Sequence, residues 1–241
     1  MAELTFNQDR HEYKIGDRII PSVTQVIRSV LQAEQVGWEK GMTQAAQFIR
    51  SKEPSQGRGI LAQEIETIRD TRPKLPVSQW YLDRGSALHL AVKLELEGKL
   101  DRSSLDPRIV GRLDSILKFI RDENLTTLGI EQRLLSKEFH FAGQIDWWGF
   151  RRFMNQGEAD EEYLLCDWKG SISKQSEIQL GAYALLLKPI EYDRAVIVEC
   201  ADAGTYRCKW MSKSELKLAG QTFLNFLSVY NWKLRNGMIE K

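Results

Sequence analysis

The sequence predicts an α/β protein, a mixed central β-sheet flanked by helices, with an N-terminal helical elaboration. Three observations carry this expectation. Apolar residues recur at helical spacing in separate segments, as in Ile109, Leu113, Ile116, Leu117 and Ile120. Short runs rich in apolar and aromatic residues occupy 130–139, 142–150, 163–168, 194–200 and 205–211. Their order is helices, three strands, a helix, two strands and a helix, which suits one packed sheet. At 241 residues the chain fits a single domain, with 1–80 as the elaboration and 81–241 as the core.

Taken in order, Phe6–Ile20 alternates enough to form a small hairpin about Gly16-Asp17. Ser22 is positioned to cap a helix reaching Leu31, with Gln25 completing a capping box. Helices are expected over 38–50 and about Ile60–Ile68, separated by the Pro-, Gly- and Ser-rich loop 51–59. A helix from Tyr81 to Glu97 stops at Gly98, and another spans Pro107–Glu123. The polar run Arg151–Glu162 reads as the turn joining the second and third strands. After the helix 176–187, Asp202-Ala203-Gly204 turns the last two strands. Ser212 and Glu215 then cap a final helix with the stripe Leu216, Ala219, Phe223, Phe226, Tyr230 and Leu234.

Composition excludes several classes. No run approaches the roughly 18 apolar residues of a membrane span, and the N-terminus lacks a secretory pattern. The expected setting is therefore cytoplasmic, with no membrane partner. Cys166, Cys200 and Cys208 form no CxxC pair, which argues against a disulfide framework, a zinc site or an iron–sulfur cluster. With 34 Lys and Arg against 33 Asp and Glu, the chain lacks the basic excess of a DNA-coating protein. A local basic groove around an acidic metal site would average out in that balance.

Chemistry concentrates at Asp146 and Asp167-Trp168-Lys169. Strand alternation puts Asp167 and Lys169 on one face. Two carboxylates converging at a strand end suit a hard cation such as Mg²⁺ or Mn²⁺. An Asp-x-Lys pair alone is usually a surface ion pair, but LLCDWKG is apolar up to the Asp, so these charges end a buried strand. Gly85 and His89 share a helix face, as do Gln179 and Tyr183. A histidine in ALHLAV is by itself more often a core residue than a ligand.

Gly85-x-x-x-His89, Gly143-Gln144-Ile145-Asp146, Asp167-Trp168-Lys169 and Gln179-x-x-x-Tyr183, in that order, resemble the motif series of RecB-like PD-(D/E)XK nucleases. Ile20-Pro21-Ser22-Val23-Thr24 loosely resembles phage-type members and the mitochondrial genome maintenance exonuclease. The resemblance implies a restriction-endonuclease-like core and a divalent-metal-dependent DNA nuclease, an exonuclease, hydrolysing phosphodiesters with a metal-activated water. It implies that His89, Asp146, Asp167 and the Trp168 backbone carbonyl ligate Mg²⁺ or Mn²⁺, while Lys169 positions the water. Gln179 and Tyr183 would bind the DNA backbone or steady Lys169, with Arg84 and Lys174 as further DNA contacts. Glu131 is balanced between an additional metal ligand and an ordinary strand-edge charge. The cysteines do not supply the set that the cluster-bearing relatives carry, so no iron–sulfur cluster is expected. Partners would be single-stranded DNA or duplex ends, and a recombination protein, in a phage-infected bacterial host.

Two alternatives stay open. One is a catalytically idle, nuclease-like DNA-binding recombination partner; the other is a structure- or sequence-specific endonuclease. Of Trp147 and Trp148, at least one must face away from Asp146 into the core. Trp38, Trp80 and Tyr81 stand among Lys40, Arg50, Lys52 and Arg58, as a single-strand channel would, although a solvated helical face is the commoner origin of such a mixture.

Overall fold

A computed structural model describes residues 3–7, 12–31, 76–155 and 158–239, with the backbone alone at 76–84, 155 and 158. The helices expected over 38–50 and Ile60–Ile68, the loop 51–59 and the side chains of Arg84, Trp80 and Tyr81 lie outside that description. By internal contacts the chain divides into a unit of residues 1–29 and 87–241 and a unit of residues 30–86. The residues discussed below as a site all belong to the first. No helix among the described residues is long and apolar enough to cross a membrane.

The N-terminus forms a small antiparallel sheet of β1 (Leu4–Asn7), β2 (Glu12–Ile15) and β3 (Arg18–Ile20). The expected turn is present, with Gly16 at φ +56°, a backbone conformation that glycine adopts without steric cost. Helix α1 (residues 23–31) carries the expected capping box: Gln25 N donates to Ser22 Oγ at 3.1 Å and Ser22 N to Gln25 Oε1 at 2.9 Å. Helix α2 (Pro76–Leu96) begins five residues before the expected Tyr81. Helix α3 (Pro107–Asp122) starts on an Asp106 cap with Pro at its first turn, and the expected apolar face is buried.

The main sheet runs β4 (Leu125–Ser136), β5 (Phe141–Asn155), β6 (Glu158–Lys169), β7 (Arg194–Cys200) and β8 (Tyr206–Ser212), in that spatial order. Only β6 and β7 pair in parallel, through the crossover helix α4 (Lys174–Leu186), so the sheet is mixed as expected. Helix α5 (Lys213–Arg235) closes the fold on the Ser212–Glu215 capping box. In its stripe Leu227 is buried, whereas Phe226 and Leu234 are half-buried.

One expectation is corrected. Within Arg151–Glu162, the described residues continue β5 and β6 instead of forming a long turn. Opposite charges face each other across that ladder: Arg151 Nε lies 2.6 Å from Glu162 Oε2, and Arg152 Nε 3.0 Å from Glu161 Oε1. Cross-strand ion pairs support such a polar ribbon without apolar alternation, the signal used to delimit strands.

Residues of α2 and α3 bury Leu88, Val92, Leu113, Ile116 and Phe119 against Trp147, Cys166, Trp168, Val196 and Val198 of the sheet. Helices α4 and α5 cross at Gly181 and Gly220, where a Cβ on Gly181 would stand 2.3 Å from Gly220 N. That backbone approach excludes any side chain.

The sheet opens where the site forms. The β5–β6 ladder ends at Trp147↔Cys166, while β5 continues back to Phe141. On the edge that β6 leaves, Pro21–Ser22 takes its place: Ala142 N donates to Pro21 O at 2.9 Å. Asp146 and Asp167 each sit one residue beyond the last β5–β6 pair, at the mouth of this split.

Candidate metal centre

Three adjacent strands deliver carboxylates to the split. Ile130 pairs with Trp147 and Gln132 with Ile145, so Glu131 and Asp146 face each other between those pairs. Glu131 has φ +49°, a left-handed backbone conformation inside a strand. For a residue with a Cβ this costs on the order of 1–2 kcal/mol, so surrounding contacts must hold it. They are specific: His89 Nδ1 lies 2.7 Å from Glu131 Oε1, and Gln144 Nε2 donates to Glu131 Oε2. The same His89 nitrogen stands 3.8 Å from Asp146 Oδ1. One ligand atom each from His89, Glu131 and Asp146 fall within 4.8 Å of one another, a spacing that could hold a metal ion.

Asp146 is 6 % exposed, and its Oδ2 accepts the backbone N–H of Trp168 at 3.0 Å. The carboxylate thus takes the place of the ladder partner that β5 no longer offers to β6. Asp167 is fully buried, and Lys169 Nζ approaches its Oδ1 to 2.9 Å. Asp167 and Lys169 share a face, as strand alternation requires, while Trp168 turns its indole toward Phe119 at 6.0 Å. Despite the ion pair, neither Asp167 oxygen accepts a well-directed hydrogen bond. A buried carboxylate with unspent acceptor capacity, beside a His/Glu/Asp group, is the donor chemistry of a divalent-cation site.

The electrostatics are those of crowded negative charge. Burial pushes the Asp167 carboxyl well above the usual carboxylate range, and the Asp146 charge adds to this against the opposing pull of Lys169. Burial would lower the His89 imidazole, but the Asp146 charge and the Glu131 hydrogen bond outweigh it and push it up to about 9. Burial likewise opposes the Lys169 ammonium, whereas Asp167 and Asp146 hold its pKa above the ordinary lysine value.

Gln179 and Tyr183 meet on α4, with Gln179 Nε2 donating to Tyr183 Oη. Tyr183 is buried against Gly143, where an added Cβ would stand 3.2 Å from its ring, 3.1 Å from Val23 and 3.0 Å from Leu186. Burial, then the Asp146 and Asp167 charges, push its phenol well up, so it is a neutral O–H at physiological pH. Lys174 lies at the first turn of α4 and pairs with Glu177 at 3.1 Å. Trp147 is in the core, donating to Thr127 Oγ1 at 2.9 Å, and the half-buried Trp148 donates to Gln132 Oε1 at 2.8 Å. The three cysteines are unbridged.

His89, Asp146, Asp167 and Lys169 are therefore brought together, and the undecided Glu131 joins His89 and Asp146. Two participants carried no assigned role from the sequence, Gln144 and Arg133. Gln144 bridges Glu131 and Arg133, donating to the Glu131 carboxylate and accepting from Arg133 Nε at 2.9 Å. Its position two residues before Asp146, on the same strand face, was the available signal. No protein-family model and no curated protein matches the chain.

Proposed function

We propose that this protein is a divalent-metal-dependent DNA nuclease of the RecB-like PD-(D/E)XK type, acting as an exonuclease. The observation that supports it most is the convergence of His89, Glu131 and Asp146 within 4.8 Å, beside the buried Asp167–Lys169 pair. His89, Glu131, Asp146 and Asp167, with the Trp168 backbone carbonyl, would hold Mg²⁺ or Mn²⁺. When bound, the cation supplies charge stabilisation at phosphate oxygens and lowers the pKa of water.

The chain's own groups do the rest. The Lys169 ammonium donates to the attacking water or to a phosphate oxygen as negative charge builds there. Glu131 fixes the His89 ring through Nδ1, and Trp168 N–H fixes the Asp146 carboxylate. In the hydrolysis, the water oxygen bonds to phosphorus and gives up one proton to solvent, the bond from phosphorus to the leaving sugar oxygen breaks, and that oxygen takes up a proton from solvent. Tyr183 and Gln179 donate toward the DNA backbone or steady Lys169.

The test is cleavage of one DNA in linear and closed-circular forms with Mg²⁺ or Mn²⁺. An exonuclease degrades the linear form and leaves the circle intact. Cleavage of the circle points to an endonuclease, and metal-dependent binding of both without cleavage points to an idle DNA-binding protein.

A further inference from the structure

Among the described arginines, Arg133 is one that pairs with no carboxylate. Arg102, Arg112, Arg151 and Arg207 each ion-pair with a carboxylate. The partners of Arg133 among the described residues are an amide and a ring: its Nε donates to Gln144 Oε1 at 2.9 Å, and its guanidinium lies over Phe6 at 4.2 Å. It is exposed, on β4 two residues from Glu131 and opposite Gln144 in register. Phe6 is itself held against Tyr13 at 4.7 Å, in the cluster where the small sheet packs on Ala142 and Leu135.

These contacts use one edge and one face of the guanidinium. Its two terminal nitrogens have no partner among the described residues. A planar fork held by stacking and by its Nε is pre-organised for two parallel bonds to an anionic oxygen pair. Its position is also tied to the carboxylate group by a single side chain, since Gln144 accepts from Arg133 and donates to Glu131. Without a carboxylate partner, the charge is suited to a phosphate on a strand whose neighbouring phosphodiester reaches Asp146 and Asp167.

We infer that Arg133, stacked on Phe6 and oriented by Gln144, binds a backbone phosphate of the DNA strand next to the one being cleaved. This rests on the nuclease reading above.

The test compares the wild type with Arg133→Gln and Arg133→Lys on single-stranded oligonucleotides. Cleavage is followed with Mg²⁺, and binding by fluorescence anisotropy with Ca²⁺ in its place. Arg133→Gln should raise KM and Kd about tenfold, with the loss falling on KM and not on kcat, and should reduce the salt slope of binding by about one. Arg133→Lys should restore the slope but only part of the affinity, because it keeps the charge and loses the fork. Replacing single phosphates by methylphosphonate should reveal one position that weakens the wild type and leaves Arg133→Gln indifferent. The Mn²⁺-induced rise in melting temperature should persist in Arg133→Gln. Wild-type KM, Kd and salt slope in Arg133→Gln would overturn the phosphate site and leave the nuclease reading standing. Loss of the Mn²⁺ response in Arg133→Gln would also overturn it, by assigning Arg133 to support of the metal group. A wild type that neither binds nor cleaves DNA overturns both.

Discussion

His89 Nδ1 lies 2.7 Å from Glu131 Oε1, joining α2 to β4 across 42 residues of sequence. The contact gives a reason for the left-handed backbone at Glu131, because it holds the carboxylate toward His89 and Asp146. If that group ligates a divalent cation, Glu131→Gln should weaken Mn²⁺ binding about 10- to 100-fold, as loss of a carboxylate that ligates or orients a ligand does. Calorimetric titration measures this directly. Unchanged affinity would reduce Glu131 to a structural partner of His89.

The pH dependence of the metal-free protein follows from the same crowding. His89 titrates near 9 in the folded chain, above the unfolded imidazole at about 6.5. Its contribution is therefore complete below about pH 6.5 and lost as pH rises toward 9. Asp167, raised to about 7, has the same sign, but its loss falls between the unfolded carboxyl value of about 3.9 and pH 7 and is nearly complete before His89 titrates. In EDTA, stability should fall by about 1–3 kcal/mol between pH 6.5 and 9. The Mn²⁺-induced stabilisation should grow over that window, because the metal needs a neutral imidazole and ionised carboxylates. Thermal melts across this range check both, and a flat EDTA profile contradicts the assignment.

Asp167→Asn removes a buried charge while keeping the side chain's shape. Its metal-free melting temperature at pH 8 should rise by a few degrees, on the scale of about 1–2 kcal/mol, and metal-dependent cleavage should be lost. A lower melting temperature would mean that the Lys169 ion pair outweighs the burial of the carboxylate.

Gly143 is packed on three sides by Leu186, Val23 and Tyr183. Gly143→Ala should cost about 1–3 kcal/mol in urea melts and lower cleavage by displacing Tyr183. Wild-type stability and rate would show that these neighbours give way freely.

Much of this was legible in the sequence, for identifiable reasons. The capping boxes at Ser22–Gln25 and Ser212–Glu215 are local, so spacing alone reveals them. Asp167 and Lys169 share a face by strand alternation, and the apolar run before them signals burial. The limits of β5 and β6 were hidden because Arg151 and Arg152 find their partners, Glu162 and Glu161, on the opposite strand. Glu131 could not be decided, since its role depends on a backbone conformation and on a histidine from a distant helix. Arg133 was invisible for a similar reason: its partners, Phe6 and Gln144, come from separate sheets.

The most direct measurement is a time course on end-labelled single- and double-stranded DNA. It compares the wild type with Asp146→Ala, Asp167→Ala and Lys169→Ala, with Mg²⁺ or Mn²⁺ and with excess EDTA. Metal-dependent loss of label in the wild type, and none in the folded variants or in EDTA, is the predicted result. Cleavage that persists in EDTA or in the folded variants would contradict a metal centre built on these residues.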